Sequence, residues 1–547
     1  MKQICQLKPI SSLEKVFADE PLKAAEINKL SVFLNEVGSF QVVYYLDEPR
    51  SRQDVRVEVQ SALSEYITVR RVGLVPSDLP CFGDHDENVL RDIPGLYPDP
   101  LIPINGTITL YPHQWRSLWF TLKPHNQVES GEYPITVLLR TEDGAILAQS
   151  DMTISVLPCE LPEQELLHTE WFHTDCLCNY YGFEAFSEEY WACVENFIKA
   201  AVSHGINMIL TPLFTPPLDT EVGGERLTVQ LIDVKIREDG YHFTFDRLKR
   251  WIELCNRCGV KYFEFSHLFT QWGAEHAPKI IGIRNGKAER IFGWDTDAVG
   301  VEYVSFLNSF LPALKDFIEA EGIQERVYFH VSDEPNEEFE ESYSKAASVL
   351  QKHLADYPVI DALSAFSFYQ KGLVRKPIPS SNHIQPFLDA GVENLWTYYC
   401  VSQYKDVSNR FFCMPSARTR ILGMQLYKYN IEGFLQWGFN FWNTQFSKKA
   451  IDPYRVTDAG GAFPSGDPFV VYPGDDYQPV ASLRFEIMRE VMQDIRALRL
   501  LGSKIGREQT LSLLEDAGEI TVNTYPTSAK WLLDKREQIN QLIINAE

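Results

Sequence analysis

From residue 167 onward the chain alternates between short apolar runs and longer amphipathic ones, and this alternation constrains the fold more than any other feature. Eight runs read as strands: residues 167–175, 207–213, 261–268, 327–333, 361–366, 394–400, 433–442 and 469–472. Between them, residues 188–204, 245–258, 303–320, 337–356, 417–429 and 480–500 repeat apolar side chains at helical spacing. A helix between two strands carries the chain across the sheet and returns it parallel. Eight such units in series predict a closed (β/α)8 TIM barrel. Residues 227–236 and 241–245, on either side of Asp239-Gly240, read as a hairpin inserted after the second strand, and insertions in such loops decorate the catalytic face.

The first 160 residues follow another rhythm. Val55, Val57 and Val59 alternate with polar neighbours, as do Leu118, Phe120 and Leu122, which is the period of a half-buried strand. Residues 135–140 and 145–156 flank Asp143-Gly144, a type I′ hairpin signal because both central positions of that turn need positive φ. Several short strands of this kind predict an antiparallel β-sandwich. Pro158 and Pro162, in LPCELPEQE, make a semi-rigid connector. The expected organisation is a sandwich over residues 1–160, a catalytic barrel over 161–505, and a helical tail over 506–547 whose last helix, 528–544, packs on the barrel.

Charge narrows the possible partners. With 51 Lys and Arg against 75 Asp and Glu, the net charge is −24, and no long basic run offers a local exception. Neither nucleic acid nor an anionic membrane is expected as a partner. The N-terminus has no apolar run of signal-peptide length and nothing later approaches about 18 apolar residues in succession, so the expected location is cytoplasmic. The ten cysteines are scattered, which predicts reduced thiols. Cys255 and Cys258 form a lone CxxC, and Cys176 and Cys178 stand too close together for a zinc knuckle, so no metal or other cofactor is expected. Asn105-Gly106-Thr107 fits a glycosylation sequon and reads here as a turn.

Barrel enzymes build their sites at the C-terminal ends of the strands. The fourth run puts Val327, Phe329 and Val331 on one face and Tyr328, His330 and Ser332 on the other. Continuing that parity brings Glu334 over the mouth, while Pro335 ends the strand and frees Asp333 to swing. A turn aspartate followed by a helix-capping glutamate is the plainer reading of the same two residues. If functional, adjacent carboxylates are too close to act from opposite faces of a sugar ring, which takes about 5–9 Å between them. They suit a mechanism in which the substrate's own 2-acetamido group is the nucleophile. Other strand-end residues suited to a sugar pocket are His173, Asp175, Gln271, Trp272, Trp396, Tyr398, Tyr399, Trp437, Asn440 and Trp442. Of Tyr398 and Tyr399, one faces inward. Trp294, Arg418 and Arg484 are further possibilities.

FHVSDEP at 329–335, with TEWFHTD at 169–175, HLFTQWGA at 267–274, GFLQWGFNFW at 433–442, GDPFVVYPG from 466 and SLRFEIMRE from 482 onward, resembles glycoside hydrolase family 123. The resemblance spans nearly the whole chain in the expected order. It implies an N-terminal β-sandwich, a catalytic barrel and β-N-acetylgalactosaminidase activity, with the family's Asp-Glu pair at Asp333 and Glu334. The implied enzyme is a retaining, exo-acting hydrolase of glycans ending in β-linked N-acetylgalactosamine, working through an oxazolinium intermediate. A broader hexosaminidase that accepts N-acetylglucosamine, and a non-catalytic glycan-binding protein, are the alternatives.

Overall fold

The structure is a computed structural model that describes residues 5–47, 52–124 and 128–546. Its N-terminal part holds two five-stranded sheets. One runs, in spatial order, Cys5–Ser11, Gly38–Leu46, Arg116–Leu122, Ile67–Ser77 and Gly95–Pro103, with every pairing antiparallel. The other runs Lys29–Phe33, Ile146–Leu157, Gly131–Arg140, Gln53–Gln60 and Thr107–Leu110, and there Lys29–Phe33 pairs parallel with Ile146–Leu157. Phe40, Val42, Leu118 and Phe120 from the first sheet meet Val55, Ile135, Val137 and Leu139 from the second in one core. The period-two pattern thus selects the face that enters this core; in Arg116–Leu122 the other face is buried as well, with Trp119 packing against Leu483 and Ile487. At Asp143-Gly144 only the glycine is left-handed, with φ 86°. The Thr141 amide donates to the Ala145 carbonyl at 3.0 Å, so the loop is longer than the two-residue type I′ turn expected.

Downstream, six strands form a parallel sheet in the order Val327–Tyr328, Tyr262–Phe265, Met208–Thr211, Leu167–Glu170, Gly433–Gln436 and Trp396–Tyr398. Ile360–Ala362 and Lys376–Ile378 pair parallel with each other. Parallel bridges from Phe329 to Val359 and from Ser380 to Tyr398 tie that pair to the two edges of the larger sheet. One buried cluster, containing Leu167, Leu210, Ile360, Ile378, Trp396 and Leu435 together with the partly buried Tyr262 and Tyr328, takes a side chain from each of these eight strands. A second cluster lies outside them, where Phe263, Val327 and Phe329 pack on Val194, Phe197, Trp251, Phe310 and Leu350 of the flanking helices.

One expectation is corrected here. The run at 469–472 does not join the parallel strands: Val471–Pro473 pairs antiparallel with Pro479–Ala481, and Phe469 bridges Asn440 antiparallel. An apolar run buries itself equally well in either geometry, and Gly474, whose amide bonds the Gln478 carbonyl at 2.9 Å, turns this one back. The missing parallel strand is Lys376–Ile378, three residues within KPIP, too short and proline-rich to show a period. The inserted hairpin is present as Asp233–Arg237 and Gly240–Thr244, and a second hairpin, Ile280–Arg284 with Lys287–Phe292, extends it into a four-stranded sheet. No helix among the described residues is long and apolar enough to cross a membrane.

The helix Leu483–Ile505 joins the two halves. Ser482 caps it by accepting the Phe485 amide, and Leu483, Ile487, Leu498 and Leu501 pack with Phe33 and Trp119 of the sheets and Leu532 and Ile539 of the helix Ala529–Asn545. Arg484 donates to Asp99 through Nε and Nη2 at 2.8 and 2.9 Å, and Tyr472 donates to the same carboxylate at 2.5 Å. Arg418 is held in the same bidentate way by Asp86. These two arginines, possible sugar ligands by sequence, therefore bind a strand and a loop of the N-terminal part to the rest of the chain. Replacing Asp99 with Ala strands a buried guanidinium and a buried phenol, and is expected to cost about 3–5 kcal/mol in urea denaturation. An unchanged midpoint would contradict this role for the pair.

Candidate active site

Regular pairing of the fourth parallel strand stops at Tyr328. Beyond it the Asp361 carboxylate takes over the work of the ladder: Oδ1 accepts the Val331 amide at 3.0 Å and the Ser332 amide at 3.3 Å, and lies 3.2 Å from His330 Nδ1. Its Oδ2 accepts the Tyr343 hydroxyl at 2.5 Å. The backbone is thereby released to turn, and Glu334 sits at φ 45°, a left-handed conformation uncommon for a residue with a side chain. The Glu334 amide donates to the Ala362 carbonyl at 3.0 Å, and the Asp333 carbonyl accepts the Trp272 amide at 2.8 Å. Neighbouring residues on a strand point to opposite faces; this turn brings both carboxyls to one cavity.

Beneath the pair lies a buried ionic network. His330 Nε2 donates to Glu264 at 2.7 Å, and Glu264 also accepts Trp171 Nε1 at 2.8 Å and the Thr169 hydroxyl. Burial alone would push His330 down, but its bonds to Asp361 and Glu264 and their charges outweigh it and raise the imidazole to about 9. It is an imidazolium at neutral pH. His267 stacks on it at 4.1 Å and 24°, and burial with that adjacent charge pushes His267 well below the usual histidine range. His267, His330 and Asp361 offer ligand-type atoms within 4.8 Å of one another. Near-parallel stacked rings direct their lone pairs side by side, however, and both His330 nitrogens are committed to carboxylates, so His330 and Asp361 serve the hydrogen-bond network, while His267 is buried against the ring with neither nitrogen bonded among the described residues.

The cavity, of about 260 Å³, is lined by Asp219, Gln271, Asp333, Glu334 and Gln445 among the rings of Trp171, Trp272, Tyr398, Trp437, Phe446 and Phe463, with Leu218, Ala362, Cys400, Val401 and Leu435. A few polar groups converging within an apolar wall are the usual make-up of a small-ligand site. Burial raises Glu334, and the Tyr398 hydroxyl, which donates to Oε1 at 2.6 Å, pulls it partly back. Asp333 is pushed well above the carboxylate range by burial and then by the charge of Glu334, with His330 opposing. Two such carboxyls hold one proton between them more readily than none.

Gln271, Trp272, Tyr398 and Trp437 reach the cavity as the sequence suggested. Tyr398 is the inward tyrosine. Tyr399 packs outward against Leu166 and Phe434, as strand alternation requires. His173, Asp175, Trp396, Asn440 and Trp442 lie outside the cavity, each bound into its support. Asp175 pairs with the buried Arg226 at 2.6 and 2.8 Å, and His173, held neutral by burial at about 3, lies 3.0 Å from the Trp437 carbonyl. Asn440 exchanges two hydrogen bonds with the His173 backbone. Trp396 covers Gly433, where a Cβ would lie 2.2 Å from the ring. The Trp442 indole donates to the Val471 carbonyl at 3.1 Å. Trp294 packs on His276, also outside the cavity. Sequence reasoning missed Trp171, although it lies in the TEWFHTD motif, and missed Asp219 and Phe446, which come from irregular loops without periodicity.

The sequence model of the glycoside hydrolase 123 catalytic domain matches residues 171–501. The chain belongs to glycoside hydrolase family 123. A solved family 123 glycoside hydrolase from Clostridium perfringens, described for glycolipid glycan hydrolysis, covers 99% of this chain and 97% of its own at 15% identity, with a TM-score of 0.74, and so shares its fold. A β-glucuronidase from Parabacteroides merdae is 11% identical and covers 89% of this chain and 52% of its own, at a TM-score of 0.31. No curated protein matches the sequence. In a family 123 glycosidase, the Tyr398 hydroxyl on Glu334 becomes testable through pH. A bond to the charged form lowers a carboxyl's pKa, so removing it in Tyr398→Phe raises Glu334 further. The alkaline limb of the kcat/KM profile is expected to move to higher pH; an unmoved or lowered limb would show that Glu334 does not govern it.

Proposed function

We propose that this chain is a retaining exo-β-N-acetylgalactosaminidase that uses the substrate's acetamido group as nucleophile. The observation that carries the reading is the Asp333-Glu334 pair, turned by the left-handed Glu334 backbone so that both carboxyls line one aromatic-walled cavity. Glu334, whose carboxyl burial raises above its ordinary range, donates a proton to the glycosidic oxygen as the acetamido carbonyl oxygen attacks C1. The aglycone leaves with that proton, and a cyclic oxazolinium remains. Asp333, on the side of the His330 charge, accepts the acetamido N–H and stabilises the positive charge that develops there. Glu334, now a carboxylate, takes a proton from water as the water oxygen bonds C1, which opens the ring from the original face and restores the acid. The configuration at C1 is retained without a bond to the protein.

The eight parallel strands, with their bridges at Phe329–Val359 and Ser380–Tyr398, support reading the catalytic part as a (β/α)8 barrel. A net charge of −24 favours an uncharged glycan over a polyanion as the ligand. Cytoplasmic action on imported oligosaccharides completes the proposal, and secretion of the native protein would overturn that part of it.

The two carboxyls divide the work, so their variants should respond differently to the leaving group. Glu334→Gln removes the proton donor and should lose about 10²–10⁴-fold on natural glycans and less on an activated aryl glycoside. Asp333→Asn weakens charge stabilisation by about 3–4 kcal/mol whichever group leaves. Steady-state assays on matched galacto-configured substrates check this, and equal responses in both variants would rule the assignment out. Because the substrate supplies its own nucleophile, dialysis against EDTA should leave activity intact; a loss restored by a divalent ion would mean that the chemistry has been misassigned.

A further inference from the structure

A third carboxylate faces the cavity and has no part in the mechanism above. Asp219 lies in the loop after the parallel strand Met208–Thr211 and lines the same space as Asp333 and Glu334. Its backbone is left-handed, with φ 39°, and the loop opposite is strained too, with Phe446 at φ 60° and Ser447 at φ 52°. The two loops clip each other in place. The Phe446 amide donates to Asp219 Oδ2 at 3.0 Å, the Ser447 hydroxyl to the Asp219 carbonyl at 2.7 Å, and the Glu221 amide to the Phe446 carbonyl at 3.0 Å. Non-glycine residues hold such conformations where surrounding contacts impose them, and they gather at ligand sites.

The clip leaves half of the carboxylate unused. Oδ2 is taken by the Phe446 amide, and Oδ1 receives no hydrogen bond from the described residues. No lysine or arginine among the described residues forms an ion pair with it either. Arg226, the guanidinium whose charge acts on it, is spent on Asp175, through Nε and Nη2, and on the Leu218 carbonyl at 3.0 Å. A half-buried carboxylate with one acceptor left open toward the cavity can take an O–H or N–H donor from a ligand there. Trp272 and Phe446, edge to face at 5.8 Å, give the apolar surface on which the carbon face of a sugar ring can lie beside it.

We propose that Asp219 is a specificity-determining residue that accepts a ring hydroxyl of the sugar bound in this cavity, fixing which pyranose is presented to Asp333 and Glu334. The inference deepens the glycosidase reading above and rests on it. It also restricts the substrate to an uncharged ring at this position. Three carboxyls line the cavity and no lysine or arginine does among the described residues, so a sulfate or carboxylate on that ring finds no cationic side chain to pair with.

The test compares the full-length wild type with Asp219→Ala and Asp219→Asn on an aryl 2-acetamido-2-deoxy-β-galactoside and its 3-, 4- and 6-deoxy analogues. A hydrogen bond to a charged acceptor corresponds to roughly 10–100-fold in kcat/KM. Wild type should lose that factor on the analogue missing the hydroxyl that Asp219 holds. Asp219→Ala should lose it on the parent glycoside and lose nothing more on that analogue, and Asp219→Asn, which keeps the Phe446 bond, separates this effect from loop collapse. If Asp219→Ala leaves the parent rate unchanged, or loses the same additional factor as wild type on all three analogues, Asp219 does not read the sugar, even though the glycosidase reading stands. A wild type inactive on the parent but active on its gluco epimer would instead overturn the galacto assignment, and the same comparison on the gluco series then decides the role of Asp219.

Discussion

The site depends on one carboxylate that never meets the cavity. Asp361 accepts the amides of Val331 and Ser332 and faces the ring of His330, three consecutive residues of the chain that leads to the Asp333-Glu334 pair. A strand edge would otherwise leave those amides seeking a neighbour, and a strand held in register would send Asp333 and Glu334 to opposite faces. With the amides satisfied by a side chain, the backbone leaves the sheet early and turns left-handed at Glu334. The strain is opposed by the Glu334 amide bond to Ala362 and by the Trp272 amide bond to Asp333, both from adjoining parts of the fold.

Charge follows from the same contacts. Glu264, His330 and Asp361 form a buried acid–imidazolium–acid row directly before the pair, with each member hydrogen-bonded. In a medium of low polarity such a row is rigid, because breaking any bond leaves an unsatisfied ion. It places a positive charge next to Asp333 and not next to Glu334, whose partners are the Tyr398 hydroxyl and the Cys400 thiol. Adjacent and alike in composition, the two carboxyls thus stand in unlike surroundings. Separate roles as stabiliser and acid, as proposed, need that asymmetry.

Much of this was legible in the sequence where periodicity carries the information. The parity of residues 327–332 placed Val327, Phe329 and Val331 outward and His330 inward, as the packing has them, and the hairpin at Asp239-Gly240 formed. What periodicity does not encode was hidden. Lys376–Ile378 is too short to show a pattern, and the buried run before Pro473 has the same pattern whether it pairs parallel or antiparallel. Strand-end position selected His173, Asp175 and Asn440, but it does not show that Arg226, 51 residues from Asp175 and 53 from His173, draws these two into a support for Trp437. Arg418 and Arg484 likewise find their acids in the N-terminal part, Asp86 in a loop and Asp99 in a strand. Asp219 and Phe446 lie in loops whose positive φ angles leave no trace in residue type.

The central claim is that the nucleophile belongs to the substrate and is aligned by Asp333. The most direct measurement is kcat/KM for a series of aryl β-galactosaminides whose N-acetyl group carries none, one, two or three fluorines. Fluorine withdraws electrons from the amide carbonyl and weakens its attack on C1, while the leaving group and the acid stay the same. If the account holds, the rate falls steeply and steadily along the series, far more than the small change in size explains. A flat series would place the nucleophile on the protein or in water and contradict it.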